Sequence, residues 1–136
     1  MVLQKKHLSK KNNSQVAALC FKLSDNKKIE ILLITSRRSK RWVLPKGWPI
    51  KGLKAHKAAE QEAFEEAGAV GNIFDFCVGK YSYRKELDNK YITCEVSVYP
   101  LSVIELLENY KERKQRSRKW VPLKVCLLYT SPSPRD

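Results

Sequence analysis

The sequence predicts a mixed α/β domain in which strands lie on both sides of one well-defined helix. Two observations predict this class. Apolar, strand-like stretches precede and follow residues 54–67, and that central stretch is rich in alanine and other strong helix formers. A chain of 136 residues with 43% apolar content has room for one domain with one core.

The first predicted elements are two strands that form a hairpin. Ser14–Leu23 is the first strand, Asp25 and Asn26 mark a turn, and residues 28–35 form the second strand. A basic loop then leads to a short apolar strand at residues 42–44, which Pro45 stops. Residues 46–52 contain two glycines and a proline, which predicts a shaped loop without secondary structure.

The helix is predicted over residues 54–67, with Gly68 as the left-handed residue that ends it. Two further strands are expected at residues 73–83 and 91–101, with Pro100 closing the second. A short basic helix at residues 104–115 and a strand at residues 119–123 complete the prediction.

The two ends of the chain are predicted to lie outside the domain at residues 14–126. Residues 1–13 are polar and lysine-rich, which indicates a flexible basic arm, and residues 127–136 end in a Ser/Pro-rich stretch that is typical of a non-native tail. The chain has no apolar run of the length of a membrane span and no secretory signal, so we expect a cytoplasmic protein without a membrane partner. The four cysteines form no metal-binding pair and are expected to be reduced.

The charge distribution points to an anionic ligand. The net charge is +13, and residues 37–57 contain eight Lys or Arg and no Asp or Glu. Residues 60–66 then contain four carboxylates. On a helix Glu62, Glu65 and Glu66 lie on one side, where like charges repel and the C-terminal end of the helix dipole disfavours them. Either a solvated acidic face or a Mg²⁺ site explains the cluster.

The segment around these glutamates resembles the Nudix box. Gly47 stands 21 residues ahead of Gly68, and residues 61–69 read QEAFEEAGA, close to the family pattern Arg-Glu-U-x-Glu-Glu-x-Gly-U, where U is a bulky aliphatic residue. The likeness extends from about residue 14 to residue 123 and is closest to the diphosphoinositol polyphosphate phosphohydrolase branch. It implies a mixed β-sheet sandwiched by helices, with a catalytic loop-helix-loop at about residues 46–69.

The resemblance also implies an enzyme that hydrolyses diphosphate linkages with Mg²⁺, or alternatively Mn²⁺. Glu62, Glu66 and the backbone carbonyl of Lys46 would hold the metal, and Glu65 would be the general base or a further ligand. Dinucleoside polyphosphates and diphosphoinositol polyphosphates are the leading substrates, ahead of an RNA 5′ pyrophosphate. The expected partner is therefore a small anionic pyrophosphate compound, with nucleic acid second, and no oligomeric state is predicted.

The basic loop and the box are the candidate substrate-binding segments. Ser36 and Arg37 match a phosphate-binding stretch of the diphosphoinositol branch, and arginine binds phosphate through two hydrogen bonds at once. Trp48 either stacks on a nucleobase or anchors the loop on the domain. The remaining candidates in this set are Lys46, Gly47 and Lys51.

Three departures from the family pattern bear on function. Leu53 replaces the first glutamate of the box, Gln61 replaces its arginine, and residues 13–15 lack the basic residues of the diphosphoinositol branch. The alternative function is a non-catalytic Nudix scaffold that binds nucleic acid through the basic arm and the cluster at residues 111–119. Against this alternative, three crowded glutamates would repel the phosphates that such a protein must bind.

Overall fold

The computed structural model describes residues 6–8 and 13–124. One helix and nine strands lie in these ranges, and they belong to one mixed sheet. In chain order they are β1 Lys6–Leu8, β2 Ser14–Leu23, β3 Ile29–Thr35, β4 Trp42–Val43, β5 Lys46–Gly47, α1 Ala55–Ala67, β6 Ala69–Ile73, β7 Gly79–Leu87, β8 Lys90–Leu106 and β9 Arg118–Pro122.

The sheet is organised around β2 and the long strand β8. These two strands run parallel, whereas β2 and β3 form the predicted antiparallel hairpin. β6 and β7 both pair antiparallel with β8 along different parts of its length. β9 pairs antiparallel with β3 and brings Arg118 opposite Ile34, so that the loop before β9 reaches the carboxyl end of β3.

Apolar side chains pack on both faces of this sheet. On one face the fully buried alanines of α1 lie against apolar residues of β2, β3 and β8. Their small side chains let the helix approach the sheet closely. On the other face a second cluster includes Ile31, Leu33, Val96 and Val98. The helix is thereby fixed beside β2 and β5, and it also contacts β6 and β8.

The structure confirms the central helix and the first hairpin. Helix α1 starts one residue after the predicted position, and Gly68 ends it with φ 65° and backbone hydrogen bonds to the carbonyl oxygens of Ala63 and Phe64. An αL residue at this position satisfies carbonyl groups that the helix leaves free. Cys20 and Cys94 are buried free thiols, as expected, and Cys77 is an exposed free thiol.

The helix predicted at residues 104–115 is wrong. Residues 104–106 belong to β8, where Leu106 pairs with Ala69, and residues 111–115 form turns. Pro100 likewise does not end its strand, because β8 continues beyond it to Leu106. Backbone pairing with the distant strand β6 overrides the local helix preference of this stretch. Among the described residues α1 is the single complete helix, so the expected covering of the sheet by helices is present on one face.

Two further segments differ from the prediction. Lys46 and Gly47 were expected in a loop but form β5, which pairs with Val16 and Ala17 of β2. The strand predicted at residues 73–83 is divided into β6 and β7, with residues 74–78 as an irregular connection between them. The family-implied core at residues 46–69 is therefore a strand, a loop and a helix.

The terminal predictions lie mostly outside the described residues. Within the predicted flexible arm, residues 6–8 form β1, which pairs parallel with β8. Residues 123 and 124 have helical backbone, and the predicted tail at residues 127–136 and Cys126 lie outside the described residues. Within the described ranges, no helix combines the length and apolar character that crossing a membrane requires.

Candidate active site

Helix α1 and strand β5 together position two of the three box glutamates. Glu62 and Glu66 are four residues apart, so their side chains lie next to each other on the side of the helix that meets β5. Glu66 is a buried charged residue, 7% exposed, and Glu62 is half-buried. We call these two side chains the carboxyl pair.

Glu66 is held by groups from two other elements. Its Oε1 accepts a hydrogen bond from the backbone N–H of Lys46 at 3.1 Å, and its Oε2 lies 3.6 Å from Nη2 of Arg116. Burial raises the pKa of Glu66 to about 8, because desolvation and the hydrogen bond that its protonated carboxyl group donates to Glu62 outweigh the nearby Arg116 charge. Without a cation at the site, the carboxyl pair therefore holds a proton more readily than an exposed glutamate does.

Glu62 lies directly against the backbone of Gly47. A Cβ atom at Gly47 would be 2.6 Å from Oε1 and 2.7 Å from Oε2 of Glu62, closer than any real contact of this kind. Burial raises the pKa of Glu62, and the negative charges of Glu65 and Glu112 raise it further. Gly47 is therefore needed at this position because it leaves space for the carboxyl group of Glu62.

Glu65 has partners outside the carboxyl pair. Its Oε2 accepts a hydrogen bond from Nε2 of Gln61 at 2.6 Å, and its Oε1 lies 3.3 Å from Nζ of Lys111. The Gln61 hydrogen bond, followed by Lys111, lowers the pKa of Glu65. Gln61, which replaces the arginine of the box, thus holds Glu65 as a carboxylate in one orientation.

Two carboxyl groups, rather than three, converge at the site. In the described part of the chain, no group of three or more His, Cys, Asp or Glu side chains is close enough to hold a metal ion. Mg²⁺ is commonly bound by one or two carboxylates, with waters and substrate phosphates as the other ligands. The carboxyl pair offers hard oxygen donors whose mutual repulsion a cation would relieve, so these residues fit such an ion.

Arg116 and Glu112 belong to the site although the box does not contain them. Nε of Arg116 lies 2.8 Å from Oε1 of Glu112, and its Nη1 donates to the carbonyl oxygen of Thr35 at 3.0 Å. The two side chains are 9% and 13% exposed. In the sequence they were part of a basic cluster, and their i,i+4 spacing is a weak signal that surface helices share.

The side chain of Lys46 lies on the face of the sheet opposite α1. Its Nζ is 4.7 Å from the ring centroid of Tyr83, and the hydroxyl of Tyr83 donates to Oε1 of Gln15 at 2.6 Å. Burial lowers the pKa of Lys46, and the positive charges of Lys85 and Arg116 lower it further against the opposing effect of Glu66. Lys46 therefore contributes its backbone N–H to the carboxyl pair and its side chain to a different, basic face.

Of the predicted substrate residues, Lys46 and Gly47 contact the carboxyl pair through their backbone, and the other four have separate surroundings. Ser36 forms a turn, in which its Oγ accepts a hydrogen bond from the N–H of Arg41 at 3.0 Å. Arg37 is exposed and donates to Oε1 of Gln115 at 3.3 Å, which joins the basic loop to the loop that carries Arg116. Trp48 and Lys51 lie in the segment between β5 and α1, and the side chain of Trp48 is 41% exposed. Neither side chain forms a hydrogen bond or an ion pair with a described residue that would indicate its role.

Comparisons with known proteins show the family to which the chain is similar. A family model described as NUDIX domain matches residues 13–134. Nudix hydrolase 12, mitochondrial, from Arabidopsis thaliana is 33% identical over 104 residues, which cover 74% of this chain and 51% of that protein. Diphosphoinositol polyphosphate phosphohydrolase 3-beta from Bos taurus is 32% identical over 111 residues, which cover 78% of this chain and 62% of that protein.

Solved structures show the same fold. The structure of a C. elegans Ap4A hydrolase binary complex matches with a TM-score of 0.60 at 22% identity, covering 85% of this chain and 84% of that one. The NUDIX domain of Shewanella oneidensis NrtR complexed with ADP ribose matches with a TM-score of 0.62 at 16% identity, covering 89% and 79%. The chain spans about half the length of the first curated relatives it matches. The family model and these relatives confirm the resemblance found in the sequence, and the chain belongs to the Nudix family.

Proposed function

We propose that this chain is a Mg²⁺-dependent hydrolase that cleaves diphosphate linkages in a highly anionic substrate. The observation that carries the proposal is the carboxyl pair, in which Glu62 and Glu66 are packed together against the backbone of Gly47 and Lys46. Two carboxyl groups buried side by side are costly unless a proton or a cation compensates them. A divalent cation would offset the repulsion between the two carboxylates, and it is also the metal that the family resemblance implies for hydrolysis.

Glu62, Glu66 and the backbone carbonyl of Lys46 would hold the cation, with Mn²⁺ as an alternative to Mg²⁺. When bound, the ion would neutralise the diphosphate and lower the pKa of a water molecule that attacks phosphorus. The N–H of Lys46 binds one oxygen of Glu66, and the other oxygen lies towards Arg116. Nη2 of Arg116, next to the pair, would donate a hydrogen bond to a phosphate oxygen.

Glu65 is the proposed general base, or else a further metal ligand. Its hydrogen bond from Gln61 and its contact with Lys111 keep it ionised, and an ionised carboxylate can accept the proton of a water molecule within its reach. Gln61 takes over the orienting role that the missing arginine would have. Leu53, at the position of the missing first glutamate, is 44% exposed, so its side chain lies outside the buried part of the site.

The substrate is proposed to be a dinucleoside polyphosphate or a diphosphoinositol polyphosphate, followed by an RNA 5′ pyrophosphate. Relatives at about one-third identity include plant Nudix hydrolases and a diphosphoinositol polyphosphate phosphohydrolase, and a structural neighbour is an Ap4A hydrolase. The net charge of +13 and the two joined basic loops favour a ligand with several phosphates. Ser36, Arg37, Trp48 and Lys51 are the proposed contacts outside the carboxyl pair.

The test is phosphate release from diadenosine polyphosphates, an inositol pyrophosphate and a 5′-triphosphorylated RNA, with Mg²⁺ or with EDTA. We expect Mg²⁺-dependent turnover that Glu66→Gln abolishes. Glu60→Gln, which makes the same charge change on the same helix at a residue paired with Lys57, is the matched control and should retain activity.

The competing function, a non-catalytic scaffold that binds nucleic acid, predicts a different result in the same samples. No substrate would turn over, and RNA binding would survive both EDTA and Glu66→Gln. Such binding would weaken steeply with salt, because each phosphate contact releases counterions.

A further inference from the structure

We propose that Glu112 is a positioning residue that holds the guanidinium of Arg116 away from Glu66 and so keeps Glu66 available to a divalent cation. The inference rests on the proposed function of the carboxyl pair, and it assigns a role to a residue outside the Nudix box. Its starting point is the competition of three acceptors for one buried guanidinium.

The three contacts of Arg116 are unequal. Nε is 2.8 Å from Oε1 of Glu112, and Nη1 is 3.0 Å from the carbonyl oxygen of Thr35, both within hydrogen-bond distance. Nη2 is 3.6 Å from Oε2 of Glu66, which is an ion-pair distance beyond hydrogen-bond reach. A guanidinium without other hydrogen-bond partners would form a charge-assisted hydrogen bond of about 2.7–2.9 Å with Glu66. The bonds to Glu112 and Thr35 therefore keep Nη2 of Arg116 too far from Glu66 for such a hydrogen bond.

The loop that carries both residues is fixed at several points, so it can act as a rigid support. At its start the N–H of Leu107 donates to the carbonyl oxygen of Gly68 at 2.8 Å. In its middle the N–H of Glu112 donates to the carbonyl oxygen of Glu65 at 3.1 Å. At its end Ser117 exchanges two hydrogen bonds with Thr35, of 2.8 and 3.0 Å. Glu112 is thus tied to the last turn of α1, which also carries Glu66.

Arg116 and a cation at the carboxyl pair would compete for the carboxylate of Glu66. A guanidinium bonded to Glu66 would neutralise that carboxylate and occupy one of its oxygens, in direct competition with the metal. Glu112 supplies its own negative charge to Arg116 and reduces this competition. Without Glu112, the nearest carboxylate for Arg116 is Glu66, which is already 3.6 Å from its Nη2.

The first experiment measures Mn²⁺ affinity by electron paramagnetic resonance, without substrate, for the wild type and three variants. Glu112→Gln preserves the shape of the side chain and an acceptor for Nε. We expect it to weaken Mn²⁺ binding about tenfold or more, the size of effect typical of residues that support metal ligands. The double variant Glu112→Gln with Arg116→Gln should recover affinity to within about threefold of the wild type, because the competing cation is gone. Glu108→Gln, an equal charge change at an exposed position of the same loop, should leave affinity unchanged.

Two results of that experiment would overturn the proposal. If the double variant binds Mn²⁺ as weakly as Glu112→Gln, then Glu112 acts as a ligand or by its own charge. If Glu112→Gln lowers thermal stability but not affinity, its role is only structural.

A crystal structure of metal-free Glu112→Gln tests the positioning separately from the metal. We expect Nη2 of Arg116 to move to about 2.9 Å from the Glu66 carboxylate, the length of a charge-assisted hydrogen bond. An unchanged separation would contradict the positioning role. If the wild type binds no Mn²⁺ at all, the proposed function fails, and this structure still decides whether Glu112 positions Arg116.

Discussion

The carboxyl group of Glu62 occupies the space that a side chain at position 47 would fill, since a Cβ on Gly47 would lie 2.6 Å from Glu62 Oε1. The two residues lie in β5 and α1, fifteen positions apart. The catalytic role proposed for the carboxyl pair therefore depends on the absence of a side chain at this position.

Gly47→Ala is expected to displace Glu62 from the carboxyl pair. We predict a loss of Mg²⁺-dependent hydrolysis of roughly a hundredfold or more, the size of effect seen when one preorganised electrostatic group is removed. Steady-state kinetics and Mn²⁺ titration measure it. Gly79→Ala is the matched control, because a Cβ there meets nothing within 4 Å. Full activity in Gly47→Ala would show that Glu62 is not needed in its observed place.

The stability of the metal-free protein is expected to depend on pH through the carboxyl pair. The pKa of Glu66 is raised from its ordinary value of 4.5 to about 8, so the folded state binds more protons than the unfolded state between these values. The free energy of unfolding should therefore fall as pH rises from about 5 to 8, with a slope of at most about 1.4 kcal/mol per pH unit for one proton. Because Glu62 is coupled to Glu66, the pair titrates as a unit.

Urea unfolding in EDTA at several pH values measures this dependence. In Glu66→Gln the pH-dependent part from the pair should largely disappear, and in the wild type Mg²⁺ at pH 8 should restore stability by binding the ionised pair. A wild-type curve parallel to that of Glu66→Gln over this range would contradict the raised pKa.

Gln61 is expected to matter through its hydrogen bond to Glu65. Gln61→Ala removes the 2.6 Å hydrogen bond to Glu65 and leaves Lys111 as the partner of Glu65. We predict that kcat falls roughly tenfold with little change in KM. This loss is a part of the rate enhancement that a general base usually supplies. Gln61→Arg, which restores the residue of the family pattern, should keep kcat at or above the wild-type value. Equal kcat in all three proteins would remove Gln61 from the mechanism, and a rise in KM alone in Gln61→Ala would point to substrate binding instead.

Arg37 is expected to bind a phosphate group distant from the bond that is cleaved. Arg37→Gln should raise KM about tenfold for a substrate with several phosphates and leave kcat nearly unchanged, because one hydrogen bond to a charged group is lost in both ground and transition states. Lys80→Gln makes the same charge change at an exposed residue paired with Glu95 and should have little effect. A lower kcat with constant KM would argue against a binding role for Arg37.

Much of the site could be predicted because its pattern is local. The 3.6-residue period of a helix places Glu62 beside Glu66 whatever the rest of the fold does, and Gly68 marks the helix end by its freedom to adopt positive φ. The fixed spacing from Gly47 to Gly68 identified the family, which the family model confirms. These features depend on near neighbours in the chain.

The tertiary structure determined the features that depend on pairing between segments distant in the sequence. Residues 104–106 became strand because β6 offered backbone partners, and Arg116 reached Glu66 because β9 pairs with β3. It also separated Glu65 from the carboxyl pair by giving it Gln61 and Lys111 as partners. Helix periodicity fixes which glutamates are neighbours, whereas the packing of other elements determines their burial, their pKa and their hydrogen-bond partners.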